Sequence, residues 1–259
     1  MAQNFRHSEI LAIAREAGKV TVDGLAAKFN VTAQTIRRDL AELCDVGQLT
    51  RVHGGATIPS GVIALGYEDR RSLASDAKEM MARMVAEQIP DGVSIFMNIG
   101  TTTEAVARAL LKHRNLMVVT NNLNVANILA TSPNCEVIVT GGMLRRSDGA
   151  LVGEVTAEFI GQFKVDYAII GSAAVDPDGS LLDYDFREVR VAQAIIKNAR
   201  KSYLVADNSK FRMAAPVRIA SLAELNGFFT DVTPPRSIVQ LCADNDVFIR
   251  TVEHSSRVF

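Results

Sequence analysis

The residues of this 259-residue sequence best suited to touching another molecule fall into two groups far apart in the chain. The first is Gln34, Thr35, Arg37 and Arg38. A glutamine amide can pair with the edge of adenine, and an arginine guanidinium can read guanine or hold a phosphate. An Arg-Arg pair by itself is an ordinary solvated helix face, so its meaning depends on its surroundings. The second group gathers where apolar runs give way to small polar residues: Gly100 with Thr101, Thr102 and Thr103; Thr120 with Asn121 and Asn122; Thr140 with Gly141 and Gly142; and Asp207 with Lys210. Glycine, threonine hydroxyls and the free N–H groups of a helix start suit an anion, phosphate above all, although a Thr-rich helix cap uses the same residues. Asp207 can accept hydroxyls and Lys210 is a movable cation for phosphate; a surface turn bridged by a salt pair is the plainer alternative. Agreement among four such boundaries favours a small phosphorylated polyol.

Other reactive residue types form no pattern. Cys44, Cys135 and Cys242 are odd in number, far apart and without CxxC spacing, so neither a disulfide framework nor a zinc site follows. The histidines at 7, 53, 113 and 254 show no i, i+4 pair. The expectation is no metal and no cofactor.

Two textures must position the two groups. Up to about Ala56 the chain reads as short helices. Ile10, Leu11, Ile13 and Ala14 share one face of a helix that Gly18 ends. Two more helices follow with a common apolar set of Leu25, Ala26, Phe29, Val31, Ile36, Leu40 and Leu43. Asn30 sits at the corner between them, where a left-handed residue is needed, and Thr32 can cap the next helix. Small Ala26 and Ala27 let the helices approach. The second of these helices keeps Ile36, Leu40 and Leu43 inward and leaves Gln34, Thr35, Arg37 and Arg38 at its outer N-terminal end, where a recognition helix meets the major groove. QLTRVHGGATI then reads as a hairpin, a wing, with Gly54 and Gly55 at the turn and Arg51 and His53 outward. The predicted division is residues 1–57, a linker 58–72, a larger domain 73–252 and a tail 253–259. In the larger domain apolar strand-like runs such as SIFMNI, LMVVT, EVIVT, DYAIIGSA, SYLVAD, GFFTD and VFIRT alternate with helical segments. Continuous apolar strands imply a mainly parallel sheet covered on both faces, an α/β fold, and such sheets bind ligands at their carboxyl ends.

Charge and composition set bounds. With 48% hydrophobic and 22% charged residues the chain buries a sizeable core. Lys plus Arg (28) nearly cancels Asp plus Glu (29), so no global field draws it to nucleic acid or membrane. Residues 1–57 hold seven basic and six acidic side chains. Any DNA attraction must come from clustering, since Asp39, Glu42 and Asp45 lie further along the same helix. The apolar runs are far shorter than the ~20 residues that span a bilayer, and MAQNFRHSEI has no secretory core. A cytoplasmic protein without membrane contact is expected.

TIRRDLAEL followed by LTRVHGGA resembles the N-terminal signature of the DeoR family of bacterial transcriptional regulators. The stretches VAEQIPDG, IGTT, EAVA, TNNLNVAN, DGSLL and SKF carry the similarity through the whole chain, toward members that regulate glycerol catabolism. The resemblance implies a winged helix-turn-helix repressor in which Gln34, Thr35, Arg37 and Arg38 face operator DNA and Arg51, His53 and Gly54 belong to the wing. It also implies a homo-oligomer, dimer or tetramer, and an effector that is a phosphorylated metabolite such as glycerol 3-phosphate, bound by Gly100, Thr101, Thr102, Thr103, Asn121, Asn122, Gly141, Gly142, Asp207 and Lys210. The second half is similar to the ribose-5-phosphate isomerase-like fold. Such isomerases carry a DGADE-like acidic segment, whereas here Gly171 to Asp176 reads GSAAVD. Without that carboxylate, proton transfer between carbons lacks its main actor, although Asp176, Asp183 and Glu188 remain. A regulator is expected rather than an enzyme; the alternatives are a sugar-phosphate isomerase with an accessory helical domain and a helix-turn-helix that docks protein instead of DNA.

Overall fold

The computed structural model describes residues 6–7, 9–11, 13–14, 19–45, 49–52, 54–57 and 66–252. Gly18, His53, the linker residues 58–65 and the tail 253–259 lie outside the described residues. The chain divides into two compact units, Met1–Ile63 and Ala64–Phe259.

In the first unit Ile10, Leu11 and Ala14 are helical and buried. They pack with Val20, Leu25, Ile36, Leu40 and Leu43 in one core. The helix Val22–Phe29 starts on Thr21, whose hydroxyl accepts from the Gly24 N–H, and ends at Asn30 in the left-handed region (φ 51°, ψ 48°). Asparagine is among the few side chains that tolerate this conformation, which makes the corner. The next helix, Ala33–Asp45, is capped by Thr32 Oγ1, which accepts from the Thr35 N–H at 3.2 Å. Ala26 packs against the core, but Ala27 is exposed, so only one of the two alanines serves close approach.

The hairpin pairs Thr50–Val52 with Gly55–Thr57, and the second strand also pairs with Lys19–Thr21. Gly54 is in the turn, with φ of 75°. Gly55 is not: it is the first residue of the strand, opposite both Val52 and Thr21. A Cβ there would come within 1.9 Å of the Val20 carbonyl oxygen, so glycine is required by close strand approach rather than by turning.

The second unit is built on seven parallel strands: β1 (Ser94–Met97), β2 (Leu116–Thr120), β3 (Cys135–Val139), β4 (Val165–Ile170), β5 (Ala199–Val205), β6 (Gly227–Thr230) and β7 (Phe248–Thr251). They lie in the order β7-β6-β5-β4-β1-β2-β3. Alternate residues feed two cores: Ile95 and Met97 pack with Met81, Val85 and Val106, while Phe96 packs with Ile160, Val189 and Ile195 on the other face. The helices α1 (Tyr67–Ser72), α2 (Ser75–Gln88), α3 (Thr101–Ala109), α4 (Leu123–Leu129), α5 (Glu154–Ile160), α6 (Phe186–Lys197) and α7 (Arg236–Asp244) surround the sheet. The unit is α/β and doubly wound. Strand order reverses between β1 and β4, and the crevice outside the carboxyl ends of such a pair is where this architecture takes ligands.

Three features depart from the periodic pattern. Met143–Arg145 and Ala150–Val152 form a hairpin, Ser180–Asp183 joins a small antiparallel sheet with Ala174–Val175 and Val217–Ser221, and Asn208–Arg212 is a short 3-10 helix. Residues 66–72, which the sequence places in the linker, include helix α1. Among the described residues no helix is long and apolar enough to cross a membrane.

Candidate functional site

On the first unit, Gln34, Arg37 and Arg38 are exposed and Thr35 is half-buried at the start of the helix Ala33–Asp45; Arg51 and Gly54 are exposed on the hairpin. His53 lies outside the described residues. Arg38 is 77% exposed and bonds Glu42 one turn on, Nε to Oε1 at 3.1 Å. Asp39, which the sequence groups with the acids opposing phosphate, instead points inward and is 1% exposed. Arg6 holds it bidentately, with Nη2 at 3.0 Å, and His7 Nε2 approaches at 3.3 Å. Burial works against the charge, yet the Arg6 bonds outweigh it and keep the Asp39 carboxyl below its ordinary value. This acid is neutralised internally and anchors the helix that carries Gln34 and Arg37.

On the second unit, a cavity of about 600 Å³ opens at the β1/β4 reversal. Gly100, Thr101, Thr102, Thr103 and Lys210 line it. Gly100 has φ of 131° and offers no side-chain cap to α3, and the N–H groups of Thr101, Thr102 and Thr103 find no acceptor among the described residues. The three threonines are not equivalent. Thr103 Oγ1 donates to the Asn98 and Gly100 carbonyls and Thr101 Oγ1 to that of Arg70, which leaves the Thr102 hydroxyl for the cavity. The Lys210 ammonium has no ion pair among the described residues; burial pushes its pKa down while nearby Asp207 pulls it up. Ser172 and Arg70 also line this space, and among the described residues Ser172 Oγ and Arg70 Nε are buried without a hydrogen-bond partner. Unsatisfied donors gathered around one helix N-terminus have the chemistry that suits an anion.

The other expected ligand residues occupy structural positions off the cavity. Asn121 donates to the Leu151 carbonyl at 3.0 Å, and Asn122 caps α4 by accepting from Asn124 and Val125. Gly142, with φ of 137°, lets the backbone pass Thr156, whose hydroxyl donates to the Gly141 carbonyl. Asp207 is buried and caps the 3-10 helix by accepting from the Ser209 N–H at 3.0 Å. Its charge still acts on Lys210 and on the buried Lys78, which burial lowers to about 8.

The wall that sequence reasoning missed is a charged network. Arg145 grips Asp148 (2.6 and 2.9 Å), Glu188 (2.7 Å) and Asp185 (3.2 Å). Burial, then the neighbouring Asp183, raises Glu188 to about 8 against the pull of Arg145. Burial likewise raises Asp183. Carboxyl groups whose burial favours the protonated form accept from hydroxyls when charged and donate to them when protonated. The cavity thus has an end whose donors suit an anion and a wall whose charged groups suit hydroxyls. Only Asp183 and Glu188 of these acids stood out in the sequence. Arg145 and Asp148 sit in an RRSDG turn, where a charge signal alone does not reveal which space they face.

Two domain families match the chain: the DeoR-like helix-turn-helix domain over residues 6–62 and the DeoR C terminal sensor domain over residues 73–232. The chain is 45% identical to the glycerol-3-phosphate regulon repressor of Escherichia coli (strain K12) over 95% of its own length and 98% of that protein. It is 39% identical to the HTH-type transcriptional repressor CsqR of the same organism, over 95% and 94% of the two chains. Among solved structures, ribose 5 phosphate isomerase A from Neisseria gonorrhoeae superposes with a TM-score of 0.38 at 15% identity, covering 57% of this chain and 56% of that one. The exposed helix start, the winged hairpin and the matches over both units agree: this chain belongs to the DeoR family of DNA-binding transcriptional regulators, not to the enzymes.

Proposed function

We propose that the protein represses a glycerol-catabolism operon and leaves its operator when a phosphorylated metabolite, glycerol 3-phosphate first among them, fills the cavity of the second unit. Gln34, Thr35, Arg37 and Arg38 enter the major groove while Arg51, His53 and Gly54 form the wing. In the cavity the phosphate takes the free N–H groups of Thr101 to Thr103 and the ammonium of Lys210, and the hydroxyls face Asp183 and Glu188. Asn121, Asn122, Gly141, Gly142 and Asp207 hold the strand ends in place around it. The single observation that carries the reading is that Lys210, without an ion pair among the described residues, lines the same cavity as the uncapped start of α3. Release requires only that the effector prefer the arrangement that does not bind DNA. One winged unit of low charge binds weakly, so a dimer or tetramer spanning repeated half-sites is part of the proposal.

The test is a thermal shift of the full chain with sn-glycerol 3-phosphate, glycerol and inorganic phosphate, paired with an operator gel shift. A ligand at 100 times its Kd stabilises by about 2.7 kcal/mol, which for a unit of this size raises the midpoint by about 5–10 °C. Glycerol 3-phosphate should do so and release the operator. Equal response to unphosphorylated glycerol sinks the reading.

A further inference from the structure

The segment that leads from the DNA-binding unit into the second unit is itself a wall of the cavity. Gly66, Tyr67 and Arg70 all line it, and they follow the joining residues directly in the sequence. Helix α1 is attached to the anion end by bonds on each side of Arg70. The Tyr67 hydroxyl donates to Glu104 at 2.9 Å and accepts from Asn124 at 3.1 Å. The Arg70 carbonyl accepts from Thr101 Oγ1, on the first turn of α3, and from Lys78, which also donates to the Leu73 carbonyl at 2.7 Å.

The guanidinium of Arg70 is the replaceable member of its ion pair. Among the described residues its one ion pair, Nη2 to Asp148 Oδ2, spans 3.4 Å, whereas Arg145 holds the same carboxylate with two bonds at 2.6 and 2.9 Å. Asp148 therefore keeps a partner if Arg70 departs. Among the described residues the buried Arg70 Nε has no acceptor, so the group has donors to offer and little to lose. An anion at the start of α3 competes for Arg70 twice, drawing its guanidinium away from Asp148 and drawing off the Thr101 hydroxyl that now holds its carbonyl.

Resting on the effector reading above, we propose that Arg70 is an effector ligand and the coupling residue of this protein: it exchanges Asp148 for the anion of the bound metabolite and carries α1, and with it the start of the joining segment, into a second position. Lys210 binds the same anion without belonging to that segment, so the two cations separate affinity from coupling.

The experiment uses the full chain, sn-glycerol 3-phosphate, and an operator fragment, with Arg70→Gln, Arg70→Lys and Lys210→Gln. Calorimetry establishes saturation for each protein, and operator Kd is then measured without and with saturating ligand, each variant against its own ligand-free value. Wild type should weaken by about 5- to 150-fold, the range of ordinary allosteric coupling. Lys210→Gln should need more ligand yet reach the same ratio. Arg70→Gln should stay within about twofold of its ligand-free Kd, with Arg70→Lys between, since an ammonium meets the anion without the planar fork. Should Arg70→Gln bind too weakly to saturate, Arg70→Lys supplies the saturated arm. Full release by a saturated Arg70 variant overturns the inference while the effector reading stands. A wild type that binds neither sn-glycerol 3-phosphate nor inorganic phosphate overturns both.

Discussion

Replacing Asp39 by alanine tests how the helix Ala33–Asp45 is held. The carboxylate is 1% exposed and its Arg6 partner 19% exposed, so the pair is buried on one side and wetted on the other. Breaking a fully buried pair costs about 3–5 kcal/mol. Arg6 regains part of its hydration, which brings the cost to about 2 kcal/mol, still above the 0–1 kcal/mol of a surface pair. For a unit of about 60 residues, that lowers the midpoint by about 8–16 °C. The assay is thermal unfolding of the full chain, following the transition of the first unit by hydrogen exchange at Ile36, Leu40 and Leu43. Acid supplies a second readout. The Asp39 pKa is lower in the folded state, so its contribution is complete above the unfolded value of about 3.9 and disappears as pH falls through the folded value. Asp39→Ala should remove that loss. A variant melting within about 3 °C of wild type at neutral pH would show that Asp39 anchors nothing.

Four further outcomes are expected. Gly55→Ala, which forces a Cβ against the Val20 carbonyl, should disrupt strand pairing in the hairpin and abolish the operator shift while leaving ligand binding measurable. Arg37→Ala should weaken operator binding and spare ligand affinity, with Lys210→Ala doing the opposite; equal loss in both assays would refute independent roles for the two units. Arg51→Ala, if it contacts phosphate, should lower affinity evenly across DNA sequences and reduce the salt slope by about one; sequence-selective loss would make it a base reader. Glu188, raised to about 8 chiefly by burial, retains a proton that the unfolded chain sheds above about 4.3. That stabilisation is complete below the unfolded value and is lost as pH rises through about 8, so Glu188→Gln should flatten the decline of the second unit's melting temperature between those limits.

What the sequence disclosed and what it withheld differ in physical kind. Asn30 was legible because few side chains accept a left-handed corner, and Ile36, Leu40 and Leu43 because a helix buries residues at that spacing. The parallel strands were legible because a run apolar on both faces has few other uses. Asp39 was not, since its inward turn depends on Arg6, 33 residues earlier. Arg70 was not either: its partner Asp148 is 78 residues away, and charged residues near a linker look solvated. Asn121 and Asn122 show a subtler limit. Strand ends place a residue near the ligand edge of a sheet, but the direction of its side chain follows from neighbours, and both asparagines turn to the backbone instead.

The charges of the first unit also explain how a nearly neutral segment serves a polyanion. Seven basic residues face six acidic ones in residues 1–57, a balance that by itself argues against DNA. The structure spends the two signs unequally. Asp39 turns inward against the half-buried Arg6, and Glu42 is engaged by Arg38 beside it. Arg37 and Arg51 stay exposed on the helix start and the hairpin, and neither has an ion pair among the described residues. Such a surface offers few cations to phosphate. Because each neutralised phosphate contributes about 0.9 to the salt slope, a single unit with so few free cations gains little affinity from charge, and on the proposed docking base-edge contacts from Gln34 and Arg37 weigh correspondingly more. Under the proposal that Arg70 couples the cavity to the first unit, a coupling of about 1–3 kcal/mol lowers operator affinity by the same factor however tightly the unit is held.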